Sequence, residues 1–174
     1  MRAPFQVVIL PFRRLDRGTE FALFRRSDLH FWQGLAGGGQ DDETPVQAAR
    51  REAFEEAAVP FEAPYFALTR SSSVPVSCIS AAARAHWPAD LYVIPNHAFA
   101  VEVGADFRPV LSREHSAFAW CTYDDAYQRL HFENNQVALE ELAQRIADGR
   151  LAPIRVDSRD AVDRMDTRRS PPYG

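Results

Sequence analysis

The alternation of apolar and polar residues predicts a series of β-strands along most of the chain. Residues 5–12 (FQVVILPF) predict a central strand ended by Pro11, and residues 20–25 predict its hairpin partner after a turn at 16–18. Residues 76–84 leave helix and strand open. We expect the remaining strands at residues 65–70, 91–94, 97–103 and 117–120, with residues 71–73 as a loop or a sheet edge.

Helical spacing of apolar residues marks three other segments. The first begins at Pro45, with Thr44 as its N-cap and Gln47 completing a capping box. Residues 123–130 predict a short helix. Residues 134–149 predict a longer one, with Asn134 or Asn135 as the cap and Gly149 as the stop. The inward faces are predicted to be Val46, Ala49, Ala53 and Ala57 in the first helix, and Ala138, Leu139, Leu142, Ala143 and Ile146 in the third.

The composition limits the function classes. The 174 residues suit one domain, which we place at residues 1–149, followed by a charged tail at 150–174 that is partly disordered or docked through its apolar residues 151–154. A net charge of −4 argues against a large nucleic-acid-binding face, and no apolar run is long enough to span a membrane. Without a signal-peptide layout, Cys78 and Cys121 are expected to be reduced, buried thiols in a cytoplasmic protein, with a disulfide between them as the alternative.

Three carboxylates crowd one side of the first helix, since Glu52, Glu55 and Glu56 stand at i, i+3 and i+4. Two like charges about 6 Å apart repel by roughly 3 kcal/mol at an effective dielectric of about 20. Arg51 can offset part of this through Glu55, and a hard cation such as Mg²⁺ can offset far more. The alternative is a solvated face with ordinary ion pairs. The metal site is favoured because a predicted glycine-rich loop, Gly37 to Gly39, and the capped entry adjoin it.

Residues 37–59 resemble the Nudix box, the signature of a hydrolase family. Gly37, Glu43 and a run beginning at Arg51 match the pattern at its spacing, the run being Arg51-Glu52-Ala53-Phe54-Glu55-Glu56-Ala57-Ala58-Val59. The family usually has an aliphatic residue in place of Ala53 and glycine in place of Ala58. No Gly-Lys-Ser/Thr follows the glycines, so they do not form a Walker phosphate loop.

Beyond the box, residues 5–149 are similar to the bacterial dihydroneopterin triphosphate pyrophosphatases, a group within the Nudix family. The matching segments are Phe31-Trp32-Gln33, Pro95-Asn96-His97-Ala98-Phe99, Ser112-Arg113-Glu114-His115, Phe118-Ala119-Trp120 and Asn134-Asn135-Gln136-Val137-Ala138-Leu139. The resemblance implies an α/β fold, an α/β/α sandwich with a central mixed β-sheet. It also implies that a small phosphorylated substrate, a nucleoside or pterin triphosphate, is cleaved to a monophosphate and pyrophosphate.

The resemblance further implies a set of site residues. Glu52, Glu55 and Glu56 would bind Mg²⁺, or Mn²⁺ in its place, and a further carboxylate would come from beyond the box. Glu114 is the first choice for that carboxylate and Glu102 the second. Either Glu56 or Glu114 would serve as the general base. The pair Glu43 and Arg51 would belong to the catalytic residues by fixing the glycine segment against the helix.

Substrate contacts are expected from Trp32, Gln33, Arg26, Gly37 and Gly38. The aromatic side chain of Trp32 either stacks on the substrate ring or covers the core, and Arg26 either approaches phosphates or is an ordinary surface arginine. The expected role of His115 is that of a hydrogen-bonded structural histidine. Two other functions share the same box: hydrolysis of dinucleoside polyphosphates or nucleotide sugars, and non-catalytic ligand sensing. The sequence fixes no oligomeric state.

Overall fold

The computed structural model describes residues 1–154, apart from the side chains of residues 70 and 71. Its long first strand, β1 (Arg2–Leu15), is the centre of a seven-stranded sheet. It runs parallel to β6 and antiparallel to β2 and β4, so the sheet is mixed, as predicted. The strand order is β3-β2-β1-β6-β5, with β4 also paired to β1 and β7 to β2. The other strands are β2 (Gly18–Arg26), β3 (Trp32–Gln33), β4 (Leu35–Gln40), β5 (Tyr65–Pro75), β6 (Val93–Glu102) and β7 (His115–Cys121).

Pro11 does not end β1, contrary to the prediction. The strand pairs with β4 as far as Ile9 and with β2 from Phe12 onward, so Pro11 falls between these two partners. The carbonyl of Phe12 accepts from the amide of Val103 on the β6 side, which directs the backbone groups of Pro11 to the opposite side. The missing N–H of proline therefore costs the sheet no hydrogen bond.

Helices cover both faces of the sheet and complete the predicted α/β/α sandwich. Helix α1 (Pro45–Ala57) packs on one face, and α2 (Tyr123–Arg129) and α3 (Glu133–Ala147) pack on the other. The alternation along β1 separates the two cores, because Val8 and Leu10 contact the α3 side while Val7 and Ile9 contact the α1 side.

Several predicted boundaries change in the structure. The predicted strands at 91–94 and 97–103 are one strand, β6, which passes through Pro95 where it pairs with β5 alone. Residues 71–73 belong to β5, the edge strand. Residues 76–84 contain a short 3₁₀ helix, Val76–Cys78, followed by turns. Both cysteines are free, and Cys121 is buried as predicted, but Cys78 is exposed because it lies in this surface segment.

Helix α3 begins without the predicted asparagine cap. Its N-cap is Phe132, with no side-chain hydrogen bond, and the amide of Asn135 is instead buried, where its Oδ1 accepts from the backbone N–H of Gly34 at 3.0 Å. The predicted inner face is correct, since Ala138, Leu139 and Leu142 are fully buried and the other two residues pack on them. Gly149, with φ of 65°, follows the helix as its stop.

The first residues after α3 contact the domain. Leu151 packs on the α3-side core, and the amide of Ile154 donates to the carbonyl of Tyr65 at 2.7 Å. The predicted disorder of the rest of the tail lies outside the described residues, and the boundary at residue 149 stays a prediction. Within residues 1–154, no helix has the length and apolar character that crossing a membrane requires.

Ala58, where the family usually has glycine, ends α1 in a left-handed conformation with φ of 54° and ψ of 33°. An L-residue in this region costs roughly 1 kcal/mol relative to glycine. We therefore expect Ala58→Gly to raise the free energy of unfolding in urea by about 1 kcal/mol. The matched control Ala57→Gly, at the last helical residue, should lower it. Equal or lower stability of Ala58→Gly would contradict this account.

Candidate active site

Helix α1 enters the site through the predicted capping box. The amide of Thr44 donates to the side chain of Gln47 at 2.8 Å, the hydroxyl of Thr44 accepts from the amide of Gln47, and Pro45 is the first helical residue. Ala49, Ala53 and Ala57 are fully buried against the sheet, and Val46 is half-buried. These contacts fix the rotation of α1, which places its carboxylates beside β4.

The three glycines lie in strand β4 and not in a loop, contrary to the prediction. A Cβ atom on Gly37 would lie 1.9 Å from the carboxylate carbon of Glu52, and one on Gly38 would lie 2.2 Å from the guanidinium carbon of Arg2. Glycine is required there because other side chains occupy the space that its own would need. The sequence pattern shows the glycines but not the side chains that lie over them.

Glu52 and Glu56 are carboxylates one turn apart on α1, the first mostly buried and the second buried. The side chain of Glu56 is only 5% exposed, and its Oε2 lies 2.8 Å from Nε2 of His115 and 3.4 Å from the amide of Ala36. Burial raises the pKa of Glu52 to about 7, although the adjacent Arg51 acts to lower it. Burial also raises the pKa of Glu56, against the hydrogen bond from His115. Two desolvated carboxylates on one helix side create a demand for positive charge.

Arg51 holds the carboxylates of this region together. Its Nε and Nη2 donate to Glu43 at 2.8 and 3.0 Å, and its Nη1 donates to Glu52 at 2.9 Å and Glu55 at 3.1 Å. Its Nη2 also donates to the carbonyl of Gly38 at 2.8 Å. The predicted pair between Arg51 and Glu43 is therefore present and connects β4 to α1, while its part in catalysis stays a prediction.

Glu114 and Arg26, predicted for metal and substrate, contact each other. Nη1 of Arg26 donates to Glu114 at 2.6 Å, and the same guanidinium bonds Asp28. The Glu114 side chain is 56% exposed, and this pair must open before either residue can act on a metal or a phosphate. The second choice, Glu102, forms an ion pair with Arg14.

A cleft of about 440 Å³ lies beside the carboxylates and has the size of a small-molecule site. Of the predicted substrate residues, Arg26 and Gln33 line it, as does Ala36, whose amide donates to Glu56. Trp32 instead packs on the α3-side core beneath the guanidinium of Arg129, and its neighbour Phe31 lines the cleft.

Sequence reasoning missed several residues of this region. Gln6, Asn96 and Asn135 line the cleft, and Arg2 lies over Gly38. The one available signal was a polar residue, Gln6, at the start of an otherwise apolar strand. Asn96 and Asn135 lie in segments that resemble the family, but no local pattern assigns them or Arg2 to the cleft, because each reaches its place through sheet pairing or helix packing.

The carboxylates fit a hard divalent cation in their chemistry. Within residues 1–154, no three His, Cys, Asp or Glu side chains form a ready-made metal cluster. Glu52 and Glu56 nevertheless offer oxygen ligands one helical turn apart, and a cation between them would stabilise the charged form that burial disfavours. Glu55, which is half-exposed and bonded to Arg51, lies at the edge of the same helix side.

The chain belongs to the NUDIX domain family, whose match covers residues 4–142. It is a Nudix pyrophosphohydrolase, an enzyme that acts on phosphoanhydride bonds. A dihydroneopterin triphosphate diphosphatase of Haemophilus influenzae is 29% identical to it over 136 residues, which are 78% of this chain and 85% of that protein.

Two solved structures share the fold. A candidate NUDIX hydrolase of Listeria monocytogenes is 31% identical with a TM-score of 0.78, and the match covers 87% of this chain and all of the other. The Escherichia coli dihydroneopterin triphosphate pyrophosphohydrolase is 20% identical with a TM-score of 0.66, over 82% of this chain and 97% of the other. The resemblance predicted from the Nudix box is thereby confirmed.

Gly37→Ala tests the contact between β4 and Glu52. The new methyl group would overlap the carboxylate of Glu52, the flexible end of a side chain, so Glu52 should move while the fold persists. We expect kcat/KM to fall by at least about tenfold, with the circular dichroism spectrum unchanged. Gly18→Ala is the control. Gly18 has φ of 125° in a turn, and no atom lies within 4 Å of an added Cβ. This variant should lose stability through backbone strain but keep its activity. Full activity of Gly37→Ala would contradict this contact.

Proposed function

We propose that this enzyme hydrolyses a diphosphate bond in a nucleoside or pterin triphosphate, resembling dihydroneopterin triphosphate, and releases pyrophosphate. The observation that carries the proposal is the buried Glu56 and the mostly buried Glu52 beside a cleft of small-molecule size. The diphosphatase from Haemophilus influenzae supports the choice of substrate, since it is related over most of both chains.

The proposed cofactor is Mg²⁺, with Mn²⁺ as a substitute. Glu52, Glu55 and Glu56 would hold it, and Glu114 would join them once it leaves Arg26. When bound, the cation supplies positive charge to the phosphate oxygens and to the leaving pyrophosphate. Arg51 keeps Glu52 in place through its direct hydrogen bond.

Glu56 is the proposed general base. It is buried, its pKa is raised by burial, and the ring of His115 holds its Oε2 in one position. A carboxylate with a raised pKa accepts the proton of an attacking water more readily than an ordinary glutamate does. Glu114 is the alternative base, but its exposed carboxylate is bonded to Arg26.

Product identification tests the proposal. The enzyme is incubated with Mg²⁺ and dihydroneopterin triphosphate, and the products are separated by chromatography. We expect dihydroneopterin monophosphate and pyrophosphate in equal amounts, and lower kcat/KM on diadenosine tetraphosphate and ADP-ribose. Preference for either of those two compounds would favour the alternative hydrolase function. Binding of the triphosphate without turnover at any Mg²⁺ concentration would favour a sensor.

A further inference from the structure

Two amide side chains, Gln6 and Asn96, line the floor of the cleft on neighbouring strands. Gln6 on β1 is in register with Asn96 on β6, with Gly38 of β4 on one side and Ser72 of β5 on the other. Residues in register on neighbouring strands are about 4.8 Å apart and point to the same face. Gln6 and Asn96 therefore stand side by side beneath α3, and the guanidinium of Arg2 lies over Gly38 next to them.

Both amides have an oxygen without a hydrogen-bond donor. Oε1 of Gln6 and Oδ1 of Asn96 are buried and unpartnered within residues 1–154, and Asn96 is only 5% exposed. Buried acceptors without a donor are rare in native proteins, and they mark places where another molecule supplies the donor. Two neighbouring residues of the cleft therefore each have an acceptor without a donor, and a ligand with two N–H groups can supply both donors.

Hydrogen bonds around Asn96 account for its orientation. Its Nδ2 donates to the hydroxyl of Ser72 at 3.3 Å, and Nδ2 of Asn134 donates to the same oxygen. Asn134 is itself oriented, because its Oδ1 accepts from the backbone amide of Asn135 at 3.0 Å. Because the Nδ2 of Asn96 is bonded to Ser72, its Oδ1 is the atom that remains available to accept a hydrogen bond.

Apolar side chains form the walls of this floor. Val8, Leu29, Phe31, Ile79 and Phe132 line the cleft. A ligand with two apolar faces and a polar edge, which means a planar heteroaromatic ring, matches such a site. The cleft also reaches Ala36, whose amide bonds Glu56, so a phosphate chain attached to the ring can extend to the carboxylates.

We propose that Gln6 and Asn96 select the substrate ring by accepting two adjacent N–H groups from a 2-amino lactam edge, the edge that guanine and pterin share. The inference rests on the proposed function and specifies its substrate class. Adenine presents a donor beside an acceptor, hypoxanthine lacks the amino group, and uracil has one ring N–H between two carbonyls. Of these edges, only the 2-amino lactam places two donor nitrogens next to each other, one for each oxygen.

The test compares kcat/KM for GTP, dihydroneopterin triphosphate, ITP and ATP. The wild type should favour GTP over ITP and ATP by about tenfold or more, because ITP differs from GTP only in the amino group. Comparison of GTP with dihydroneopterin triphosphate then distinguishes the guanine and pterin sources of the shared edge. Equal kcat/KM for GTP, ITP and ATP would overturn the inference and leave the proposed function intact.

Shape-matched variants assign the effect to the two amides. Gln6→Met and Asn96→Leu should each lower the GTP/ITP ratio by about tenfold, whereas Asn96→Asp, which keeps an oxygen, should preserve it. Gln128→Met, on the exposed side of α2, is the control and should change nothing. Ratios that stay at the wild-type value in both folded Met and Leu variants would overturn the assignment.

A binding measurement separates this inference from the proposed function. Neopterin carries no phosphate, and its fluorescence reports binding to the protein without turnover. Binding should weaken about tenfold in Gln6→Met and in Asn96→Leu. If no triphosphate releases pyrophosphate, the proposed function is wrong, and neopterin binding alone tests the ring assignment. Unchanged neopterin binding in both variants would refute the role of Gln6 and Asn96 in ring selection.

Discussion

Glu56→Gln is expected to lower kcat/KM by about 10²–10⁴ while the protein stays folded, because the neutral amide cannot act as a base and binds a cation more weakly than a carboxylate. Glutamine has the shape of glutamate and can still form a hydrogen bond with Nε2 of His115, so the local structure should persist. Stability should be equal or higher, since a buried carboxylate is costlier than a buried amide. Steady-state kinetics with saturating Mg²⁺ and urea unfolding give the two measurements.

The control for this variant is Glu140→Gln. Glu140 lies on the exposed side of α3 and undergoes the same chemical change away from the cleft. Its kcat/KM should match the wild type. An active Glu56→Gln enzyme would exclude Glu56 as the base and would move that role to Glu114.

Arg51→Met is expected to reduce both stability and activity. The substitution leaves Glu43 and Glu52 without the guanidinium that neutralises them, although each is mostly buried. Removing one partner of such a network lowers the free energy of unfolding by about 3 kcal/mol. Glu52 is then no longer held in place, which should lower kcat/KM by at least about tenfold. Arg51→Lys should retain more stability and activity than Arg51→Met but less than the wild type, because an ammonium group cannot form all the hydrogen bonds of the planar guanidinium.

The matched control is Arg17→Met, which removes an exposed arginine bonded to Glu20. The Arg17 side chain is 75% exposed, so its loss should change the free energy of unfolding by less than about 0.5 kcal/mol. If Arg51→Met and Arg17→Met had equal effects, Arg51 would be an ordinary surface residue and its proposed positioning role would be wrong.

The parts of the site that depend on local sequence could be predicted. The capping box at Thr44 and the spacing of Glu52, Glu55 and Glu56 involve residues within a few positions of one another, and helix geometry converts that spacing into a shared side. The ion pair between Arg51 and Glu55 follows from the same geometry. For this reason the Nudix box indicated both the fold and the class of enzyme.

The contacts that depend on tertiary structure could not be predicted. The hydrogen bond between Glu56 and His115 joins residues 59 positions apart, and no spacing signals it. Gly37 lies in a strand because β4 pairs with β1, and it must be glycine because Glu52 lies over it. Pro11 is tolerated because it falls between the partners β4 and β2. Glycine and proline patterns favour loops and strand ends until such neighbours are known.

The central claim, that Glu52 and Glu56 form the cation site of the enzyme, is tested most directly by Mn²⁺ binding. Electron paramagnetic resonance measures free Mn²⁺ in titrations of the wild type, of the double variant Glu52→Gln/Glu56→Gln, and of Glu140→Gln, each with a non-hydrolysable triphosphate analogue. The account predicts that the wild type and Glu140→Gln bind Mn²⁺ with equal affinity and that the double variant binds at least about 100-fold more weakly. Wild-type affinity in a folded double variant would contradict it.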